Sequence, residues 1–261
     1  MIGQATVPAS RHFNTDQLAA FDRDGYVLRR GLFGGATLDR LLLAVADLAA
    51  MPETPGKAMF YYENSVTDPN RRVLSRVEYF ADFHPWLGRF LREGELIERA
   101  GELLGMPAVL FKEKVNFKLP GGQGFEPHQD MQAGWDVYGP IHLTAMITID
   151  PATERNGCLE IAAGQHKRGL IGEMWKPLTE AQLAGVEFVK FPTTPGDVVF
   201  FDSFAPHRSA PNLTANSRRI LYITYGRSQD GDHRERYFAD KRRNFPPDIE
   251  REPGKEYRYK V

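Results

Sequence analysis

Residues 108–118 read Ala108-Val109-Leu110-Phe111-Lys112-Glu113-Lys114-Val115-Asn116-Phe117-Lys118. Val109, Phe111, Glu113, Val115 and Phe117 fall on one side of an extended chain, with Leu110, Lys112, Lys114, Asn116 and Lys118 opposite. A period of two sustained this long excludes a helix and predicts a strand. Three lysines inside a barrel are costly unless anions pair with them. Either this face lines a pocket, with Lys114 beside Asn116 reaching it and Lys118 at the solvent end, or it lies outside and Asn116 is demoted with it.

The texture changes at this strand. Upstream, Gln17–Asp22 after an N-cap at Asn14, a helix capped by Thr37 and running to about Ala50, Pro85–Arg92 and Glu95–Leu104 read as helices. Short strands are expected at Tyr26–Leu28, Met59–Tyr62 and Val73–Tyr79. Downstream, strands are expected at Ile141–Ile149, Cys158–Ile161, Val186–Phe191, Val198–Phe201 and Arg219–Tyr225, with turns at Pro120-Gly121, Asn156-Gly157 and Pro195-Gly196. The fold expected is mainly β with flanking helices around a double-stranded β-helix, or jelly-roll, core. One domain over 1–261 is expected: a loose tail of ten residues, a helix-rich part at about 15–107, the core at about 108–230 and a charged surface extension at about 231–261.

Composition narrows the function classes. Lys+Arg 33 against Asp+Glu 34 leaves a net charge of −1, which excludes an electrostatically driven nucleic-acid binder. The single cysteine, Cys158, excludes an internal disulfide framework and fits a reducing compartment. No apolar run is long enough to span a bilayer, and Met1–Gln17 has no apolar leader, so a cytoplasmic enzyme without a membrane partner is expected.

The chemistry centres on His128 and Asp130 in Pro-His-Gln-Asp and on His207 in Phe-Ala-Pro-His-Arg-Ser. Two imidazoles and a carboxylate are the protein share of a facial triad that leaves positions open on octahedral Fe(II). In an extended segment residues two apart face one way, so His128 and Asp130 can grip one ion while His207 arrives from elsewhere. Composition alone gives roughly 0.4 His-x-Asp triplets by chance, so the triplet is weak without its context. That context is a Gly-rich turn at 120–124 before it, and Arg218, 11 positions beyond His207, able to fork onto a carboxylate.

Further motifs follow in order: Thr144–Asp150, Asn156-Gly157-Cys158-Leu159-Glu160, Gly164-Gln165-His166-Lys167, Pro195-Gly196-Asp197 and His207-Arg208-Ser209-Ala210-Pro211-Asn212. With Gln17-Leu18, Phe21 and Asp24-Gly25-Tyr26-Val27 near the start, this resembles the phytanoyl-CoA dioxygenase family of Fe(II)/2-oxoglutarate-dependent oxygenases over residues 15–240. The resemblance implies that His128, Asp130 and His207 ligate Fe(II). It further implies that Arg218 and Ser209 hold the distal carboxylate of 2-oxoglutarate, with Asn116 near its metal end. It implies an oxygenase that consumes O2 and 2-oxoglutarate, releases succinate and CO2, and hydroxylates a C–H bond; desaturation stays open. The loop after the triplet faces the substrate in similar enzymes, which makes Gln132, Trp135 and Tyr138 substrate candidates beside Lys114. Gln165 departs from the family's usual serine at a position that is not a ligand.

Arg76, Glu78, Tyr61 and Glu63 read as a solvated face, His142 as a core histidine, and 168–185 as a lid or an ordinary surface loop. The substrate expected is a small polar molecule such as an amine, amino acid or aminophosphonate. Two rivals share the ligands: a jelly-roll binding protein without oxidative activity, and a zinc hydrolase.

Overall fold

The computed structural model describes residues 12–257, so the expected N-terminal tail lies outside the described residues. The chain opens with α1 (Thr15–Asp24), β1 (Tyr26–Arg29), α2 (Gly35–Ala50), β2 (Met59–Asn64), β3 (Arg72–Glu78), α3 (Pro85–Arg92) and α4 (Glu95–Leu104). Then follow β4 (Ala108–Asn116), β5 (Phe125–His128), β6 (His142–Thr148), β7 (Leu159–Ala162), β8 (Phe188–Phe191), β9 (Val198–Asp202), β10 (His207–Ser209), β11 (Ile220–Arg227) and α5 (Arg234–Asn244). A seven-stranded sheet in the order β1-β9-β6-β11-β4-β3-β2 faces a four-stranded sheet in the order β5-β10-β7-β8, and every strand pair is antiparallel. This is the jelly roll.

Helices cover the outer face of the large sheet. Asn14 caps α1 by accepting from the Gln17 N–H, with Gln17 reciprocating. The N-cap of α2 is Gly34, three residues before the expected Thr37, and it makes no side-chain cap hydrogen bond, so Thr37 lies inside the first turn. Leu41, Val45 and Leu48 of α2 are fully buried and pack with Leu87 and Leu91 of α3 against Ala145, Ile147, Phe200, Leu221 and Ile223 of the sheet. Each such side chain contributes roughly 1.5–3 kcal/mol of burial. Among the described residues no helix is long and apolar enough to cross a membrane.

The inner face carries the site. Along β4, Lys112, Lys114 and Asn116 face the second sheet, while Val115 and Glu113 face the other way. The strict alternation expected below residue 112 fails: Thr224 pairs with Lys112 but Tyr225 with Leu110, leaving Phe111 as a bulge. Phe111 therefore joins Trp135 and Met131 on the inner side, and Leu110 enters the helix-side core.

Two further expectations are corrected. Arg76, Glu78 and Tyr61 are buried, because β3 pairs with β4 (Arg76 to Asn116, Glu78 to Lys114) and extends the same inner row. The expected charged surface extension from about residue 231 begins with a packed helix: α5 has Tyr237 and Phe238 buried, its Lys241 paired to Glu78 and its Arg234 to Glu113. Its charged sequence hid a helix held by ion pairs more than by an apolar stripe.

One glycine fixes how the two halves of the small sheet meet. Gly157 has φ +74°, and a Cβ there would lie 1.9 Å from the Ala210 carbonyl oxygen, next to Ser209. Gly157→Ala should therefore lose about 1–3 kcal/mol of stability from the left-handed backbone alone, read as a lowered urea midpoint.

Candidate active site

The register of the small sheet brings the two histidines together. His207, first residue of β10, pairs directly with His128, last residue of β5, and their ring centroids lie 4.3 Å apart. Each ring is oriented by its own backbone: His128 Nδ1 meets the Glu126 carbonyl at 2.7 Å, and His207 Nδ1 the Ala205 carbonyl at 3.0 Å. Those bonds place the donor hydrogen on Nδ1 and leave Nε2 as the ligand atom. Gln129 is extended, so Asp130 returns to the His128 side at the start of a short 3₁₀ turn. Its Oδ2 accepts from Thr144 Oγ1 at 3.1 Å, while Oδ1 stands 4.0 Å from His207 Nε2. Ligand atoms of the three residues all lie within 4.8 Å of one another.

The donor set fits a divalent metal. Burial, followed by the neighbouring His207, pulls His128 down to about 3, and burial lowers His207 as well, so both imidazoles are neutral ligands. Burial opposes ionisation of Asp130, but His207 and Lys114 hold it below the usual carboxylate range. His142 stays out of the cluster as expected, buried against Phe111 and Trp135.

The three ligands open on a narrow cleft between the sheets, lined also by Lys112, Lys114, Asn116, Phe125, Trp135, Thr144, Ser209, Tyr222 and Thr224. A wider open groove near Leu213 and Asn216 lies apart from these groups, and its charged pair, Asp150 and Arg219, is satisfied internally. Strand alternation puts Arg219 outward onto Asp150 and Arg218 inward, fully buried. The Arg218 guanidinium has no acidic partner among the described residues; Tyr222 is the polar neighbour that offsets part of its desolvation.

Lys118 does not reach the solvent end. It is 2% exposed, and its Nζ donates to Ser209 Oγ at 2.8 Å and to the Ala210 carbonyl at 2.5 Å. Its backbone carbonyl accepts from Arg218 N–H, which brings the two cations together. Burial and then Arg218 pull the Lys118 ammonium down to about 6. Two adjacent buried cations and the unpaired Asn116 Oδ1 mark this wall as built for a missing polar partner.

Of the loop candidates only Trp135 lines the cavity. Gln132 is fully buried with its amide spent elsewhere: Nε2 donates to the carbonyls of Glu173 and Lys176, and Oε1 accepts from Gln129 N–H. Tyr138 turns away and donates to Asp240 of α5 at 2.7 Å. Gln129, not singled out from sequence, donates to the Gly169 and Phe204 carbonyls and accepts from Ile171 N–H. The segment 168–185 is thus pinned to the strand end that carries His128, while Trp175 stays 46% exposed. Thr144, Tyr222 and Thr224, which line the cavity, were not singled out from the sequence.

The phytanoyl-CoA dioxygenase (PhyH) family profile matches residues 21–220. A 2-aminoethylphosphonate dioxygenase from uncultured bacterium HF130_AEPn_1 is 38% identical over 247 residues, covering 94% of each chain. A methylphosphonate hydroxylase from Gimesia maris is 37% identical over 230 residues, covering 88% of this chain and 86% of that one. The structure of EctD from S. alaskensis with 2-oxoglutarate and 5-hydroxyectoine superposes with a TM-score of 0.70 at 24% identity, over 84% of this chain and 77% of that one, a likeness of fold. By family match and relatives alike, the chain belongs to the phytanoyl-CoA dioxygenase family of iron- and 2-oxoglutarate-dependent oxygenases and is an oxygenase enzyme.

Proposed function

We propose that the chain binds Fe(II) and 2-oxoglutarate and hydroxylates a small organophosphonate. The observation that carries the reading is the pairing of an open two-histidine, one-carboxylate cluster with a buried, unpaired guanidinium on the same inner face. A zinc hydrolase or a passive binding protein has no use for the second feature. The phosphonate class extends to this chain what the two relatives are named for, and it suits a cleft whose wall carries Lys112 and Lys114.

The roles divide by position. His128, Asp130 and His207 hold the metal in one fixed geometry, with Thr144 steadying the carboxylate. Arg218, Ser209 and Lys118 take the distal carboxylate of 2-oxoglutarate, and Asn116 stands beside its metal end. When bound, Fe(II) supplies the activation of O2 by which R–H, 2-oxoglutarate and O2 become R–OH, succinate and CO2. The chain's own contribution is orientation of the C–H bond and exclusion of water: Trp135, Phe125 and Tyr222 wall the cavity, and 168–185, held by Gln129 and Gln132, closes one side.

Asp130→Ala should abolish Fe(II) binding measured by anaerobic titration. Arg218→Met should leave it intact while raising the 2-oxoglutarate requirement about tenfold to a hundredfold, the worth of a lost charge-assisted pair. Succinate release at unchanged 2-oxoglutarate KM in Arg218→Met would overturn the co-substrate assignment.

Lys118 gives a pH signature. With its pKa near 6 before co-substrate arrives, it is largely neutral at pH 7.5, and a carboxylate beside it raises that pKa again. Binding of 2-oxoglutarate should therefore take up a proton above about pH 6, and its affinity should fall as pH rises from there until the bound-state pKa is passed. Calorimetry in buffers of different ionisation enthalpy reads the uptake, which Lys118→Met should remove.

A further inference from the structure

We infer that the end of the cavity away from Arg218 is a phosphonate oxyanion site made by Lys112, Lys114 and the indole N–H of Trp135, and that it selects alkylphosphonates lacking an ammonium group. The inference rests on the hydroxylase reading above and adds to it which residues read the substrate and which substrates are refused.

Trp135 is 2% exposed, and its Nε1 is buried without a hydrogen-bond partner although the residue lines the cavity. Its ring is fixed edge-on to Phe111 and His142, at 5.4 and 5.5 Å between centroids, so the N–H direction is set by packing. A buried donor aimed at nothing in the chain is a place for a ligand's acceptor. Lys112 Nζ stands over that same ring at 5.2 Å from its centroid. Lys114, one inner position further along β4, is only half-buried because its end opens into the cavity, where its Nζ lies over Phe125 and Tyr222 at 5.7 and 5.2 Å.

Two point charges and one neutral donor suit a tetrahedral group with three oxygens and up to two negative charges better than a planar carboxylate, which an arginine fork matches. The second half of the inference follows from what the wall lacks. Asp130 is the only carboxylate lining the cavity among the described residues, and the metal cluster and Thr144 engage it. Glu78, behind the lysine row, is held by Lys241 and Arg76 and faces Lys112 as well, so Lys114 carries the charge of the row that is turned to the cavity. A substrate ammonium would meet the like charges of Lys112 and Lys114 and no carboxylate left to pair with it, in contrast with the substrate for which the 38% relative is named.

The test uses the full chain loaded anaerobically with Fe(II) and 2-oxoglutarate and titrated with methylphosphonate, ethylphosphonate, 2-aminoethylphosphonate and propionate, followed by succinate release in air. The alkylphosphonates should bind at least about tenfold more tightly than the other two, a difference of about 1.4 kcal/mol. Trp135→Phe, which keeps the ring and loses the N–H, and Lys114→Met should each raise the phosphonate KM about tenfold, with the 2-oxoglutarate KM moving less than about twofold. Equal or tighter binding of 2-aminoethylphosphonate would overturn the selectivity, and an unchanged phosphonate KM in Trp135→Phe would overturn the site. Phosphonate binding that depends on Lys114 and Trp135 without succinate from any substrate would instead overturn the hydroxylase reading and leave the oxyanion site standing. Normal loading with turnover of a non-phosphonate only would do the reverse.

Discussion

Arg76 of β3, Lys112 and Lys114 of β4, Lys118 just past β4 and Arg218 just before β11 lie in or beside the space between two sheets, and all but Lys114 are below 9% exposed. Burying charge out of water is among the most unfavourable things a fold can do, and it persists only with counter-charge or hydrogen bonds in place. Part of the compensation is built in. Burial opposes ionisation of Glu78, yet Lys241, Lys112 and Arg76 together hold it well below its usual range, so it is the resident anion of the row. The rest is left to whatever binds. The site's electrostatics is therefore a property of the folded chain before any ligand arrives, and the ligands are those that complete it.

That constraint explains architecture beyond the site. α5 has little apolar surface of its own, yet it is anchored because Lys241 and Arg234 reach the two buried glutamates of β3 and β4, Glu78 and Glu113. Removing one partner of such a pair leaves the other charge stranded, which costs more than the pair contributes. The helix thus couples closure of the large sheet's inner row to the charge balance around the cavity. On the opposite side, Gln129 and Gln132 do by neutral hydrogen bonds what α5 does by ion pairs: they fix 168–185 across the end of the strand that carries His128.

Much of this was legible in the sequence, and the reasons for the rest are physical. The triplet at 128–130 and the distant His207 lie together in the structure because period two puts residues two apart on one face, and the register of β5 with β10 brings the two histidines side by side. Arg218 was singled out by its spacing from His207 and by the family resemblance, not by strand alternation. Period two fails where a bulge intervenes, as at Phe111, and it says nothing about what covers the end of a strand, as at Lys118. Gln132 and Tyr138 were chosen for nearness in sequence to Asp130, but a 3₁₀ turn rotates each residue by about a third of a circle, so near neighbours point apart. α5 escaped because a helix stabilised by buried ion pairs lacks the apolar stripe that sequence reading looks for.

One strand thereby serves two proposed anion sites with one residue type. Lys114 lies on β4 and Lys118 two residues beyond its end, with Asn116, the last residue of the strand, between them on the cavity wall. If both ends bound any anion equally, co-substrate and substrate would compete for them. The second components differ. At 118 the lysine is joined by a guanidinium and a serine hydroxyl, a planar fork suited to a carboxylate. At 112–114 the lysines are joined by a single indole N–H and aromatic faces, a rounder arrangement of point donors. Discrimination between two anions of similar size then comes from donor geometry rather than net charge, which is why a chain balanced at 33 basic against 34 acidic residues can hold two strongly anionophilic sites without advertising either in its composition.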